Sequence, residues 1–218
     1  MNKSKIEWCD YTWNPITGCH FGCNYCYAEK IALRFTGHFK YEFHPNRLLT
    51  PLTKKKSSIV FVGSMADVFG NWVPDEIIQV ILEVARFASH HTFLFLTKNP
   101  KRFKEFYFSE NCWIGFSACN QEDYNKRFKD SLGGVGPRNR FVSLEPIQEK
   151  IIFGNKVDWV IVGQETGNRK ARIKADPEWT ESIVNWCASE EIPLFLKDNL
   201  NHPDKIQHFP HKIKELVL

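Results

Sequence analysis

No apolar run in the 218 residues reaches the length needed to cross a bilayer. The basic start Met1-Asn2-Lys3-Ser4-Lys5 is followed within a few positions by polar and charged residues, so the apolar centre of a signal peptide is missing and none is expected. Internal repeats and low-complexity segments are also absent, which excludes repeat arrays and biased tails. Gly (12) and Pro (11) mark turns and form no interdomain linker, so residues 1–218 are expected to make one domain, large enough for a sizeable core but short for an eight-fold barrel. Strong charge is lacking too: 29 basic against 25 acidic residues leave +4, too little by itself to name a nucleic-acid binder. Of seven cysteines, Cys9, Cys112, Cys119 and Cys187 have no metal spacing, which fits reduced thiols in a cytoplasm and argues against a second cluster.

The other three cysteines are concentrated. Cys19, Cys23 and Cys26 fall within eight residues, in a Gly-containing loop that runs into a helix-like segment. Three thiolates can hold a metal centre while leaving its coordination incomplete: a [4Fe-4S] cluster has four irons, and one would stay free for a substrate or cofactor. A zinc site with His20 as fourth ligand competes with this reading. Structural zinc usually draws on two separated ligand pairs, and His20 would have to fold back on its own neighbour. A disulfide or buried free thiols fit the tight loop less well.

Residues 11–17 read as a first strand and 27–35 as a helix, followed by an irregular polar stretch over 39–56 with Pro45, Pro51 and Lys54-Lys55-Lys56. A regular alternation begins at Ile59-Val60-Phe61-Val62 with a helix over 74–87, then Phe93-Leu94-Phe95-Leu96 with a helix over 101–108. Residues 113–117 and a helix over 123–132 come next. Strands at 140–144 and 159–162, a helix capped by Asp176-Pro177 and a closing strand at 193–196 complete the set. Strands alternating with helices imply parallel βαβ units. Nearly every strand ends in polar residues, and gathering all strand ends around one mouth is the property of a barrel, whereas an open sheet binds at one switch point.

Alternation along the fourth strand puts Ile114, Phe116 and Ala118 against helices and Gly115, Ser117 and Cys119 toward the interior, where the small side chains would leave room for ligands. Ser143 shares a face with Glu145, and Gly163 with Glu165. Cys119, facing such a chamber, is a candidate hydrogen-atom donor; a small buried filler is the plainer alternative.

The C-x3-C-x2-C spacing, with Tyr25 before the last cysteine, resembles the cluster motif of the radical S-adenosylmethionine (SAM) superfamily. The resemblance implies a partial (β/α)6 TIM-like barrel with a short closing C-terminal strand and the cluster loop after the first strand. It also implies a [4Fe-4S] cluster on Cys19, Cys23 and Cys26, SAM on the open iron, and reductive cleavage to a 5′-deoxyadenosyl radical with electrons from a flavodoxin- or ferredoxin-type reductant. Asp67, Thr97-Lys98 and Ser117 at successive strand ends are similar to the spore-photoproduct-lyase-like branch, in which the Lys and Ser at these places contact SAM. The cysteine spacing departs from those lyases, and the whole chain looks most like phage-associated radical SAM proteins of unassigned reaction. Tyr25, Ser64, Asp67, Lys98, Ser117, Glu145, Gln164 and Glu165 are the expected cofactor-site residues. For the substrate, Lys98, Lys101, Arg102 and Lys104 after the third strand and Arg169, Lys170, Arg172 and Lys174 after the sixth suggest a cationic mouth for a nucleic acid. Activation of a partner's glycyl residue is the rival reaction, and a Zn-stabilised nucleic-acid-binding module the rival class.

Overall fold

The computed structural model describes residues 1–132, 139–166 and 169–215. A short strand β1 (Asn2–Lys3) pairs antiparallel with β2 (Tyr11–Trp13), and β3 (Ile16–Thr17) leads into the cysteine loop and helix α1 (Tyr27–Thr36). β4 (Glu42–Phe43) returns to pair with β3. Two single turns, α2 (Pro45–Leu48) and α3 (Thr50–Thr53), follow. Each has Pro in its first turn, so the stretch expected to be irregular is partly helical.

Then come β5 (Ile59–Val62), α4 (Asp75–Phe87), β6 (Thr92–Thr97), a 3₁₀ segment (Pro100–Glu105), β7 (Cys112–Ser117) and α5 (Gln121–Ser131). β8 (Asn139–Leu144), β9 (Trp159–Val162), α6 (Pro177–Ser189), β10 (Leu194–Leu196), a 3₁₀ turn (Asp198–Leu200) and α7 (His211–Glu215) complete the order. Asp176 caps α6 as expected, its carboxylate accepting from Glu178 N at 2.9 Å.

The result is a mixed α/β protein on an eight-stranded sheet in the order β1-β2-β5-β6-β7-β8-β9-β10, parallel except for β1. Every parallel crossover advances one strand in the same direction, so no strand order reverses and no switch point arises. Helices α4, α5 and α6 share one face. Val60, Val62, Phe93, Phe95 and Ile114 pack with the buried stripe of α4, and Phe116, Val142, Leu144, Val160 and Val162 pack with Tyr124, Phe128, Ile183 and Cys187 of α5 and α6.

The opposite face has its own core. Phe61, Leu94, Trp113, Phe141, Trp159, Ile161 and Phe195 close on Trp8, Cys9 and Ile213. The expected alternation on β7 holds: Trp113 joins this interior layer while Ile114 and Phe116 join the helix layer. The reason for Gly115 differs, since a Cβ there would lie 2.6 Å from the Phe141 ring. It makes room for an aromatic neighbour, with ligand space only beyond it. Gly115→Ala is therefore expected to lower stability by about 1–3 kcal/mol through overpacking. Unchanged thermal unfolding would show that Phe141 has another place to go.

Among the described residues no ladder joins β1 or β2 to β10, so the sheet is not a closed barrel, and β10 extends β9 where a closing strand was expected. Residues 4–9 bridge the two edges instead. The Glu7 carboxylate accepts from Asp198 N at 2.8 Å and from Gln207 Nε2 at 3.3 Å, and Trp8 packs tilted against Phe61. The helix expected over 101–108 is also replaced. Pro100 opens a 3₁₀ segment, and burying Phe103, Phe106 and Phe108 together requires the chain to turn extended at Phe106. No helix among the described residues is long and apolar enough to cross a membrane.

Candidate functional site

At the C-terminal ends of the parallel strands lies a cavity of about 380 Å³. Phe61 from β5, Thr97 from β6, Ser117 from β7, Ser143 from β8, and Gln164 and Lys197 just beyond β9 and β10 all line it. On a flat sheet β5 and β10 would stand about 24 Å apart, at roughly 4.8 Å per strand. One cavity of this size touches both only because the sheet curls around it.

The cysteine loop closes one side. Gly18 N donates to Met65 O at 2.9 Å, tying the loop to the end of β5. Gly18 has a φ of +89°, and a Cβ there would lie 2.1 Å from Lys40 O, so no other residue fits. Asn14 binds the Ser64 hydroxyl and Met65 N, while the Tyr27 hydroxyl donates to Ser64 O at 2.7 Å. Ser64 thus braces the loop as well as lining the cavity. His20 and Phe21 pack on Trp72, with ring centroids 4.7 and 5.1 Å away. His20 is not among the residues lining the cavity, whereas Phe21 is.

Cys19, Cys23, Cys26 and Tyr25 all line the cavity. Cys26 caps α1, its sulfur accepting from Glu29 N at 3.4 Å. Burial raises the pKa of the Cys19 thiol to about 12 and raises that of Cys26, against the backbone N–H of Phe21 and of Glu29 and Ala28 respectively. Lys98 reaches in from the end of β6, its Nζ 2.8 Å from Cys23 Sγ and in contact with the Tyr25 hydroxyl. That hydroxyl lies 2.9 Å from Cys119 Sγ. Cys119 therefore faces the interior, not the helix layer, but Tyr25 stands between it and the cavity it was expected to border. Burial raises the pKa of both groups, with the neighbouring thiols adding to the effect on Tyr25.

Asp67 lines the cavity and also holds the Lys98 corner in place. Its carboxylate accepts from Thr97 Oγ1 at 2.6 Å, Lys98 N at 2.8 Å and Phe69 N at 3.0 Å. Burial raises its pKa and these three donors oppose the shift. These bonds to the chain make Asp67 a positioning group for Lys98 at the cavity edge.

Across the cavity, Glu145 pairs with Lys197 and Glu165 with Arg169, the latter through two bonds of 2.7 and 2.6 Å. The Arg169 guanidinium depresses the pKa of Glu165. The Gln164 side-chain amide donates to Asn199 O, and Asn199 returns a bond to Gln164 O. Ser117 lines the wall while its carbonyl holds Arg127. Of the cations expected at the mouth, Arg102 is buried, bound to Asp75, Glu105 and the carbonyls of Gly70 and Val73, and Arg169 is committed to Glu165. Both corrections have one cause: a carboxylate or carbonyl inside a fold is the nearest anion an arginine meets.

Sequence reasoning overlooked Trp8, Phe61, Tyr27 and Lys197, all of which line the cavity. Lys197 had a signal, because a carboxylate at a strand end needs a counter-charge and Lys197 also ends a strand.

Among the described residues no three Cys, His, Asp or Glu side chains converge as ligands of a single ion. The three sulfurs border one cavity without meeting at a point. A cube takes one thiolate at each of three corners and needs them spread, whereas zinc needs them convergent. Three thiols without a fourth protein ligand beside them among the described residues are the donor set that a cluster with one open iron would take.

Fold and site together define an α/β protein with a singly wound, curled parallel sheet and a cavity bordered by three cysteines. The chain belongs to the family described as protein of unknown function (DUF5131), which matches residues 3–215. No curated protein and no solved structure matches it.

Proposed function

We propose that this protein is a radical SAM enzyme. The observation that carries the reading is the opening of Cys19, Cys23 and Cys26 into one cavity with Lys98 and Ser117, at a volume that suits a nucleoside-sized ligand. The curled sheet is read as a partial (β/α)6 barrel of the radical SAM type, with β10 appended. When bound, a [4Fe-4S] cluster with one open iron supplies the electron, delivered by a flavodoxin- or ferredoxin-type protein, that cleaves SAM to methionine and a 5′-deoxyadenosyl radical.

The chain's own residues do the rest. The three cysteines would hold the cluster, on a loop fixed by Gly18, Asn14 and Ser64. Lys98, aimed by Asp67, offers its ammonium to a carboxylate of the ligand, and Ser117 offers a hydroxyl from the next strand. Tyr25, Glu145, Gln164 and Glu165 form the remaining wall. Phe61 and Leu96 keep one side apolar, which limits the water that can reach a reactive intermediate. The Tyr25–Cys119 contact is a route by which a hydrogen atom can pass to the chamber. The zinc-module reading is less favoured, because His20, its expected fourth ligand, packs on Trp72 and is not among the residues lining the cavity.

Anaerobic incubation with SAM and dithionite is expected to yield 5′-deoxyadenosine and methionine, slowly without substrate. No 5′-deoxyadenosine from iron-loaded protein would refute the reading.

A further inference from the structure

Helix α1 leaves the cysteine loop and buries only Ala28 of its ten residues. Positions 27, 30, 31, 34 and 35 lie on one face at helical spacing. They are Tyr27, Lys30, Ile31, Arg34 and Phe35: an exposed apolar stripe with two cations set into it. Phe35 is 76 % exposed, with the Arg34 guanidinium 5.7 Å from its ring centroid. An apolar stripe facing inward would be core, but this one faces solvent.

The helix begins at the cavity mouth. Tyr27 and Ala28 line the same opening as Gln164, Glu165 and Thr166, and the segment 169–174 that follows exposes Lys170 and Lys174. The nearby carboxylate, Glu165, is already taken by Arg169. This rim therefore presents exposed cations beside exposed aromatic surface.

We propose that the outer face of α1 and the segment 169–174 bind single-stranded nucleic acid, with a base directed into the cavity. Lys30, Arg34, Lys170 and Lys174 take backbone phosphates, and Phe35 provides a surface on which a base stacks. A flat protein partner would use the apolar stripe but would leave the cations without a role. The inference names the substrate class of the reaction proposed above and rests on that reading only for the fate of the base. Binding itself needs no cluster, SAM or reductant.

The test is fluorescence anisotropy with a labelled mixed-sequence single-stranded DNA and an RNA of the same sequence, across a KCl series with the full chain. Binding at 50 mM KCl that weakens steeply with salt is expected. Lys30→Gln, Arg34→Gln, Lys170→Gln and Lys174→Gln together should make the slope of log K against log[KCl] shallower by about 2–3, at roughly 0.7 per lost phosphate contact. Phe35→Ala should lower affinity by about tenfold and leave the slope unchanged. All five side chains are exposed, so circular dichroism should match wild type and exclude misfolding as the cause. Absence of binding at 50 mM KCl, or equal binding by both variants as a protein-docking helix would give, overturns the proposal. Neither result would touch SAM cleavage, which is measured without nucleic acid.

Discussion

Replacing Cys19, Cys23 and Cys26 together by alanine is expected to take iron and acid-labile sulfide from about four of each per chain to none. The three residues supply every protein ligand of the proposed cluster, and Cys9, Cys112 and Cys187 have no part in it: the first packs beside Trp8 and the other two lie in the helix-side cores. The fold should survive. None of the three loop cysteines belongs to a core cluster, and the side-chain bonds lost are the Cys26 cap on α1, worth about 1 kcal/mol, and the part-buried contact of Lys98 Nζ with Cys23 Sγ. A companion protein with Cys9, Cys112 and Cys187 replaced by serine or alanine should keep its iron. Four irons in the first variant after reconstitution would assign the cluster elsewhere.

The second large effect is expected at Lys98. Its Nζ lies between Cys23 Sγ and the Tyr25 hydroxyl, and its backbone N–H is fixed by Asp67. An ammonium so placed beside the cysteine loop suits the carboxylate of SAM. Lys98→Ala should weaken SAM binding by about 1.5–3 kcal/mol, the usual worth of a charge-assisted hydrogen bond, with iron content unchanged. Equilibrium dialysis against labelled SAM measures it. Wild-type affinity in the variant would remove Lys98 from the cofactor site.

Much of this arrangement is legible in the chain because it follows from local periodicity. The period-2 pattern of β7 assigns Trp113 to the interior and Ile114 and Phe116 to the helices, and polar residues after each apolar run foretell a mouth at one end of the sheet. What local pattern does not carry is the partner of a charge. Glu145 is answered by Lys197, 52 positions away, and Arg102 by Asp75, so both ion pairs depend on tertiary proximity. The 3₁₀ segment after β6 is hidden for a related reason, since Phe103, Phe106 and Phe108 suit either a helix face or a common core cluster and the core decides. Edge closure is likewise non-local. Glu7 reaches Asp198, 191 positions further along the chain, and nothing near residue 7 announces it. The exposed face of α1 is a further case, since helical periodicity over 27–35 marks the helix without saying which way its apolar face points.

The cluster itself is tested most directly by the visible spectrum of anaerobically purified wild-type protein, read together with its iron and sulfide content. Brown protein that bleaches on reduction and carries about four irons and four sulfides per chain is the expected result. Colourless protein that holds only zinc, or no metal at all after anaerobic reconstitution with iron and sulfide, would contradict it.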